Sequence, residues 1–278
     1  MKIKNSLNKI KQQKKIAEIG VIGGSGFYEL FEKAREIKVN TPFGAPSEKI
    51  LVGSYQGKKV AFLARHGKKH HLPPHKIPYR ANIWALRQLG VERLITTGTV
   101  GSLQPHIKPG DFVITDHFVD RTKQREDTFF SGPEVAHFSV AEPYCPTLRK
   151  IAMTVCAKEH ITYHKKGTII VIEGPRFSTK PESRWFATQG FDVINMTHYP
   201  EVILARELDM CLVNIALVTD FDAGLEGNPK IKPVTFQEII KVFNKNVVNV
   251  KKVVLGMIPQ IPEAKQCKCW RASETAFV

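Results

Sequence analysis

The sequence predicts an α/β fold: one domain in which a central sheet carries helices on its faces. Three observations predict it. From Ile16 onward, short β-rich runs alternate with longer helical ones. Val213 to Val218 is apolar almost without a break, as in strands buried on both faces. No low-complexity linker or internal repeat divides the chain. At 278 residues, 42% hydrophobic and 24% charged, the composition is that of a globular chain and excludes disorder over most of its length. One domain over about residues 16–262 is expected, with a basic N-terminal tail at 1–15 and a C-terminal tail at 263–278 that holds Cys-Lys-Cys, both ends mobile. No apolar run reaches the roughly 18 to 20 residues that cross a bilayer. The Lys-rich start has no apolar signal core, so a cytoplasmic location is expected.

Element by element, Ile19 to Ile22 predicts a strand running into Gly23, Gly24, Ser25 and Gly26, and Lys49 to Gly53 with Lys59 to Ala64 predicts two strands joined through Gln56 and Gly57. Residues 80–89 predict a helix stopped at Gly90, followed by a strand from Arg93 to Thr97 and a small-residue loop, Gly98 to Ser102. Further strands are expected at Asp111 to Thr115, Thr168 to Ile172 and Phe191 to Met196. Helices are expected at 147–159, 181–189, 200–209 and 235–256, the last with Ile239, Ile240, Phe243, Val247 and Val250 at helical spacing.

Forty-one basic against 26 acidic residues leave a net charge of +15, which favours anionic partners such as phosphate, nucleotides or nucleic acid. The five cysteines are too few for a secreted disulfide scaffold and lack a paired CxxC pattern, so no metal is expected.

Four polar clusters fall at or just after strand ends, the edge where open α/β sheets bind ligands. Gly24-Ser25-Gly26 offers free amides and a hydroxyl to an anion, or is an ordinary turn. Ala64-Arg65-His66-Gly67, with His70, His71 and His75 nearby, is a phosphate clamp, a solvated basic loop or a metal site without the usual carboxylate. Thr97, Gly98, Thr99 and Gly101 can complete an anion nest, and Asn195-Met196-Thr197 ends another strand in a hydroxyl. Together they favour a phosphate site. Asp220 and Asp222 follow the most apolar strand; an acid at the mouth of an apolar pocket can donate a proton, although Asp also caps helices and forms turns. Phe177, in Glu173-Gly174-Pro175-Arg176-Phe177-Ser178, can face a planar base or belong to the core.

Ile22-Gly23-Gly24-Ser25-Gly26, Thr41-Pro42-Phe43-Gly44, Ala64-Arg65-His66-Gly67, Ala81-Asn82-Ile83-Trp84-Ala85-Leu86, Ile172 to Ser178 and Val193-Ile194-Asn195-Met196-Thr197 carry a resemblance to the trimer-forming purine nucleoside phosphorylases over about residues 17–262. The resemblance implies a single α/β domain with a mixed, distorted, partly barrel-like sheet flanked by helices, and cleavage of a nucleoside by inorganic phosphate with no cofactor. Phosphate is then a co-substrate. It also implies a homotrimer, or a hexamer built from trimers, with neither membrane nor specific nucleic acid as partner; no RRM, zinc or helix-turn-helix signature argues otherwise.

Matched residue by residue, Ser25, Arg65, His66 and Thr197 correspond to phosphate ligands, and Gly98 with Thr99 to the backbone phosphate contact. Relatives carry threonine or asparagine in place of Gly98 and alanine in place of Thr99. Met196 matches the residue packed on the ribose, Ile172 and Phe177 match walls of the base pocket, and His137 matches a histidine lent by a neighbouring subunit near the 5′ end of the sugar. The members that act on 6-oxopurines carry glutamate where Ser178 stands and asparagine where Asp220 stands. A protonated Asp220 donating to N7 and an Asp222 accepting from a 6-amino group fit adenine.

Phe236, Ile239 and Ile240 lie on the helix that lines the 5′ pocket and suit a methylthio group. The expected reaction is phosphorolysis of 5′-methylthioadenosine to adenine and 5-methylthioribose 1-phosphate. The alternative is a broader activity on adenosine, inosine or guanosine. Heat-stable relatives with a C-terminal CxC imply one or more oxidised pairs, Cys145 with Cys211 among them.

Overall fold

The structure, a computed structural model, describes residues 5, 10, 15–24, 32–225, 227, 228, 231 and 236–278, without the side chains of 32, 33, 236 and 238–240. Its strands are β1 (Ile19–Gly23), β2 (Glu32–Ile37), β3 (Ile50–Tyr55), β4 (Lys58–Ala64), β5 (Arg93–Ser102), β6 (Phe112–Ile114), β7 (His117–Arg121), β8 (Tyr163–His164), β9 (Thr168–Ile172), β10 (Val193–Asn195) and β11 (Cys211–Phe221). They form one sheet ordered β2-β3-β4-β1-β5-β10-β9-β7, from which β11 branches at β5 and leads on to β6 and β8. Parallel pairs (β1 with β4 and β5, β5 with β11, β9 with β10) mix with antiparallel ones (β2 with β3, β3 with β4, β5 with β10, β6 with β11). The mixed, distorted sheet is as expected, but it branches and no pairing among the described strands closes it into a barrel.

Period-two alternation decides which face each side chain enters. On β4, Ala61 and Leu63 turn to one core, and Val60, Phe62 and Ala64 to the other. The first core is capped by α1 (Tyr79–Gln88) and α4 (His198–Glu207), the second by α2 (Pro146–Lys158) and α5 (Phe236–Met257). α3 (Lys180–Thr188) starts from a capping box in which Thr179 and Glu182 satisfy each other's backbone N–H groups. Gln56 and Gly57, at φ 46° and 79°, make the two-residue turn of the β3–β4 hairpin.

Three features differ from expectation. Gly98 to Ser102 is not a loop: β5 continues through it, because β11 pairs with β5 from Arg93 to Ser102 and supplies ladder partners for the small residues. The edge strands β2, β7 and β8 carry no apolar alternation, as befits edges kept polar, and so left no signal in the sequence. The C-terminal segment is not a mobile tail. Cys269 and Ala276 are buried, Ser273 donates through N and Oγ to Asp209 at 2.8 and 2.6 Å, and Phe277 pairs with Ala136.

Candidate active site

On one side of β5 the partner changes. β1 pairs with it as far as Thr96, and β10, running the opposite way, takes over at Gly101. Thr97 to Val100 are left without a strand on that side, and the C-terminal ends of β1, β4 and β10 converge on the gap. The polar clusters predicted at separate strand ends therefore share one edge.

Arg65 begins at the end of β4, with its N–H on the Gly23 carbonyl at 3.1 Å. Its guanidinium is buried and triply held: Nε and Nη2 donate to the Glu201 carboxylate at 2.6 and 2.9 Å, and Nη1 donates to the Thr97 carbonyl at 2.8 Å. Burial alone would lower its pKa, but Glu201 outweighs burial and raises it, so Arg65 stays charged. Glu201, fully buried on α4, gave no sequence signal; its partner lies 136 positions away.

Gly98 faces the same group. A Cβ there would lie 3.8 Å from Asn195 Nδ2, 3.8 Å from Thr197 Oγ1 and 3.9 Å from Arg65 Nη1. Arg65, Asn195 and Thr197 thus gather around one small space. Thr99, the next residue on β5, is exposed. His66 is half-buried, its Nδ1 2.8 Å from the Leu72 carbonyl and its ring stacked on His70 at 4.4 Å. Burial, with smaller pushes from Arg65 and His70, lowers its pKa to about 4. A neutral ring donating from Nδ1 presents Nε2 as an acceptor, which suits the single P–OH of hydrogen phosphate. Ser25 lies outside the described residues, as do the side chains of Phe236, Ile239 and Ile240.

Three residues further along β5, about 10 Å at strand rise, Gly101 faces a second group. A Cβ on it would lie 3.3 Å from Ile194, 3.4 Å from Asp222 and 3.6 Å from Asp220 Oδ2. Asp220 follows a bulge where the β11 register slips between Val218 and Asp220. Burial raises its pKa; the Thr219 hydroxyl, donating to Oδ1 at 2.5 Å, opposes that, and Asp222 adds to it. Asp222 is buried and accepts from Ser178 Oγ at 2.6 Å. One carboxyl is thus kept toward its acid form beside another that is hydrogen-bonded as an acceptor.

Ile172 and Met196, at the ends of β9 and β10, are half-buried. Their backbones are tied by Arg125, which sequence reasoning missed: its Nη2 donates to the carbonyls of Met196, Glu173 and Ile172 at 2.7, 2.9 and 3.5 Å, and Nη1 donates to the Tyr199 carbonyl and the Tyr79 hydroxyl. Its partners are mostly carbonyls, which any residue can supply, so no pattern announced it. Phe177 is not core; at 78% exposed it stands open to solvent beside Ser178. His137 is exposed, with its N–H on the Ala276 carbonyl at 2.7 Å.

Buried donors at the ends of β4 and β10 and an acid of raised pKa on β11, gathered beside β5 in a branched mixed sheet, fit a phosphate-dependent transferase of the phosphorylase type. The Phosphorylase superfamily model matches residues 18–259, and the chain belongs to that superfamily. It is 52% identical over 261 residues to the S-methyl-5′-thioadenosine phosphorylase of Pyrococcus furiosus, covering 94% of this chain and 99% of that one. The purine nucleoside phosphorylase of Streptomyces coelicolor is 43% identical over 275 residues, with 95% of each chain covered. Among solved structures, a methylthioadenosine phosphorylase from an antarctic soil metagenomic library superimposes with a TM-score of 0.90 at 41% identity, over 95% of this chain and 93% of that one.

Proposed function

We propose that the protein cleaves 5′-methylthioadenosine with inorganic phosphate, giving adenine and 5-methylthioribose 1-phosphate, and so serves purine and methionine salvage. The carrying observation is that two groups gather beside β5: Gly98 faces the Arg65, Asn195 and Thr197 donors, and Gly101 faces Asp220. The name borne by a relative at 52% identity supports the same substrate.

Phosphate, held by Ser25, Arg65, His66, Thr197 and the backbone at Gly98 and Thr99, attacks C1′ as the bond to N9 breaks. The bonding electrons move into the purine, and Asp220 gives its proton to N7. The anion faces the oxocarbenium character at C1′, and Asp222, buttressed by Ser178, accepts from the 6-amino group. Met196 packs on the ribose, Ile172 and Phe177 flank the base, and Phe236 and Ile239 line the 5′ pocket. His137 serves a neighbouring active site in a homo-oligomer, a trimer or a dimer of trimers. The enzyme works in the cytoplasm; no described helix is long and apolar enough to cross a membrane. Phosphate is a co-substrate, and no cofactor takes part.

A panel of methylthioadenosine, adenosine, inosine and guanosine, each with and without phosphate, tests the reading. Adenine release from methylthioadenosine, only with phosphate, is expected. Release without phosphate would make the protein a hydrolase, and faster turnover of inosine would favour the broader purine activity.

A further inference from the structure

Four of the five cysteines meet at a place the proposed chemistry does not use. The sulfurs of Cys145, Cys211, Cys267 and Cys269 all lie within 4.8 Å of one another. Cys267 is 3.6 Å from Cys145 and 3.3 Å from Cys211. They come from three distant segments: Cys145 is the N-cap of α2, Cys211 opens β11, and Cys267 and Cys269 flank Lys268 near the C-terminus. That separation is why spacing in the sequence suggested no metal. Three of the four are buried and Cys267 is half-buried; all are free thiols, so the oxidised pair expected for Cys145 and Cys211 is not formed here.

The arrangement suits a metal better than two bridges. Zinc bound to four thiolates at about 2.3 Å sets its sulfurs about 3.8 Å apart at the corners of a tetrahedron. Both Cys267 approaches are within about half an ångström of that edge. A disulfide draws sulfurs together in twos, to about 2.05 Å, whereas Cys267 approaches Cys145 and Cys211 alike and singles out neither. The donor set holds no carboxylate or carbonyl, so it selects thiophilic cations over magnesium or calcium. The N-terminus of α2, with no acidic residue in its first turn, favours a thiolate at Cys145.

We propose that Cys145, Cys211, Cys267 and Cys269 form a tetrathiolate zinc site that fastens the C-terminal segment to the starts of α2 and β11. With four protein ligands and no open position, the site is structural. Beyond it the chain runs through a short 3-10 turn, Cys269–Thr275, to Phe277, which packs edge-on against Phe130 at 5.2 Å, while the Ala276 carbonyl holds the His137 N–H. Zinc therefore secures the segment that carries His137.

The full-length chain, grown with zinc and purified without chelator, is expected to hold about one zinc per chain by elemental mass spectrometry. A mercurial that titrates the cysteines should release it stoichiometrically. After reduction and chelation, cobalt should give the visible ligand-field bands of a tetrahedral tetrathiolate and raise the melting temperature. Cys267→Ser should lose those bands, and Cys156→Ala, outside the cluster, should keep them. Should Cys267→Ser not fold, the cobalt titration of the unaltered chain decides alone. A metal-free protein that binds no cobalt once reduced, or one whose four thiols appear only after reduction with the mass gain of two opened disulfides, overturns the proposal.

Discussion

Asp220 and Asp222 are near neighbours with different surroundings. Asp222 has a Ser178 hydroxyl on one oxygen, as an acceptor should. Asp220 sits just past a bulge, where burial raises its pKa, the Thr219 hydroxyl pulls the other way, and Asp222 pushes it up again. The protonated form is the one that can give a proton to a purine, so activity should fall as pH rises through that raised pKa. Asp220→Asn keeps a donor of similar shape but has no proton to transfer. It should lower kcat/KM for methylthioadenosine about 10²- to 10⁴-fold, the usual range for a lost general acid. It should also remove the alkaline limb. A pH–rate profile on both proteins checks this; an unchanged alkaline limb in the variant would assign that limb to another group.

Both halves of the site lie beside strand β5, whose glycines face them. A Cβ at position 98 meets only ordinary contacts of 3.8 to 3.9 Å, whereas one at position 101 meets Ile194 at 3.3 Å and presses on Asp222 at 3.4 Å. Gly98→Thr should therefore fold and gain about 0.5–1 kcal/mol, the usual cost of glycine inside a strand. Its new hydroxyl beside Arg65 and Thr197 should lower the KM for phosphate severalfold. Thermal melts and phosphate titrations read the two effects separately, and a raised KM would mean that the methyl blocks the anion instead. The same strand shows what was legible in the sequence. Apolar strands with helical neighbours, such as β1, β4, β9 and β11, were readable because burial on two faces leaves continuous apolar runs, and the polar residues at their ends marked the site. The passage of β5 through Gly98 to Ser102 was not readable, since it depends on β11 as a ladder partner and not on local propensity. Nor were Glu201 and Arg125, which act on partners far away in the chain, or the meeting of four cysteines from three segments.

Across the whole molecule, buried and half-buried groups tie stability to pH, and they do not all pull the same way. His198 is fully buried between Arg65 and the Tyr144 hydroxyl, 2.6 Å from its Nε2, and burial lowers its pKa to about 3; His66 is lowered to about 4. Unfolded, each protonates near 6.5, so the unfolded chain takes up protons that the folded one refuses. Their stabilising contribution is present above 6.5 and is lost as pH falls toward 4. Glu207 is the reverse. Burial raises its pKa to about 7, while its oxygens accept from the Thr128 hydroxyl and the Phe129 N–H, both at 2.7 Å. Its contribution is complete below 4.5 and is lost as pH rises through 7. Each proton is worth about 1.4 kcal/mol per pH unit. Between 4.5 and 6.5 each histidine drives stability up by about 1.4 kcal/mol per unit, and Glu207 opposes them, joined by Asp220 as far as its raised pKa reaches. Glu207→Gln lowers stability at every pH by halving the acceptors for Thr128 and Phe129, but it also removes the opposing proton. Its slope over the same interval should be more positive than that of the unaltered chain by about 1.4 kcal/mol per unit. Denaturant unfolding at half-unit steps from pH 4.5 to 7.5 measures both slopes, and parallel curves for the two proteins would show that Glu207 titrates alike in the folded and unfolded chains.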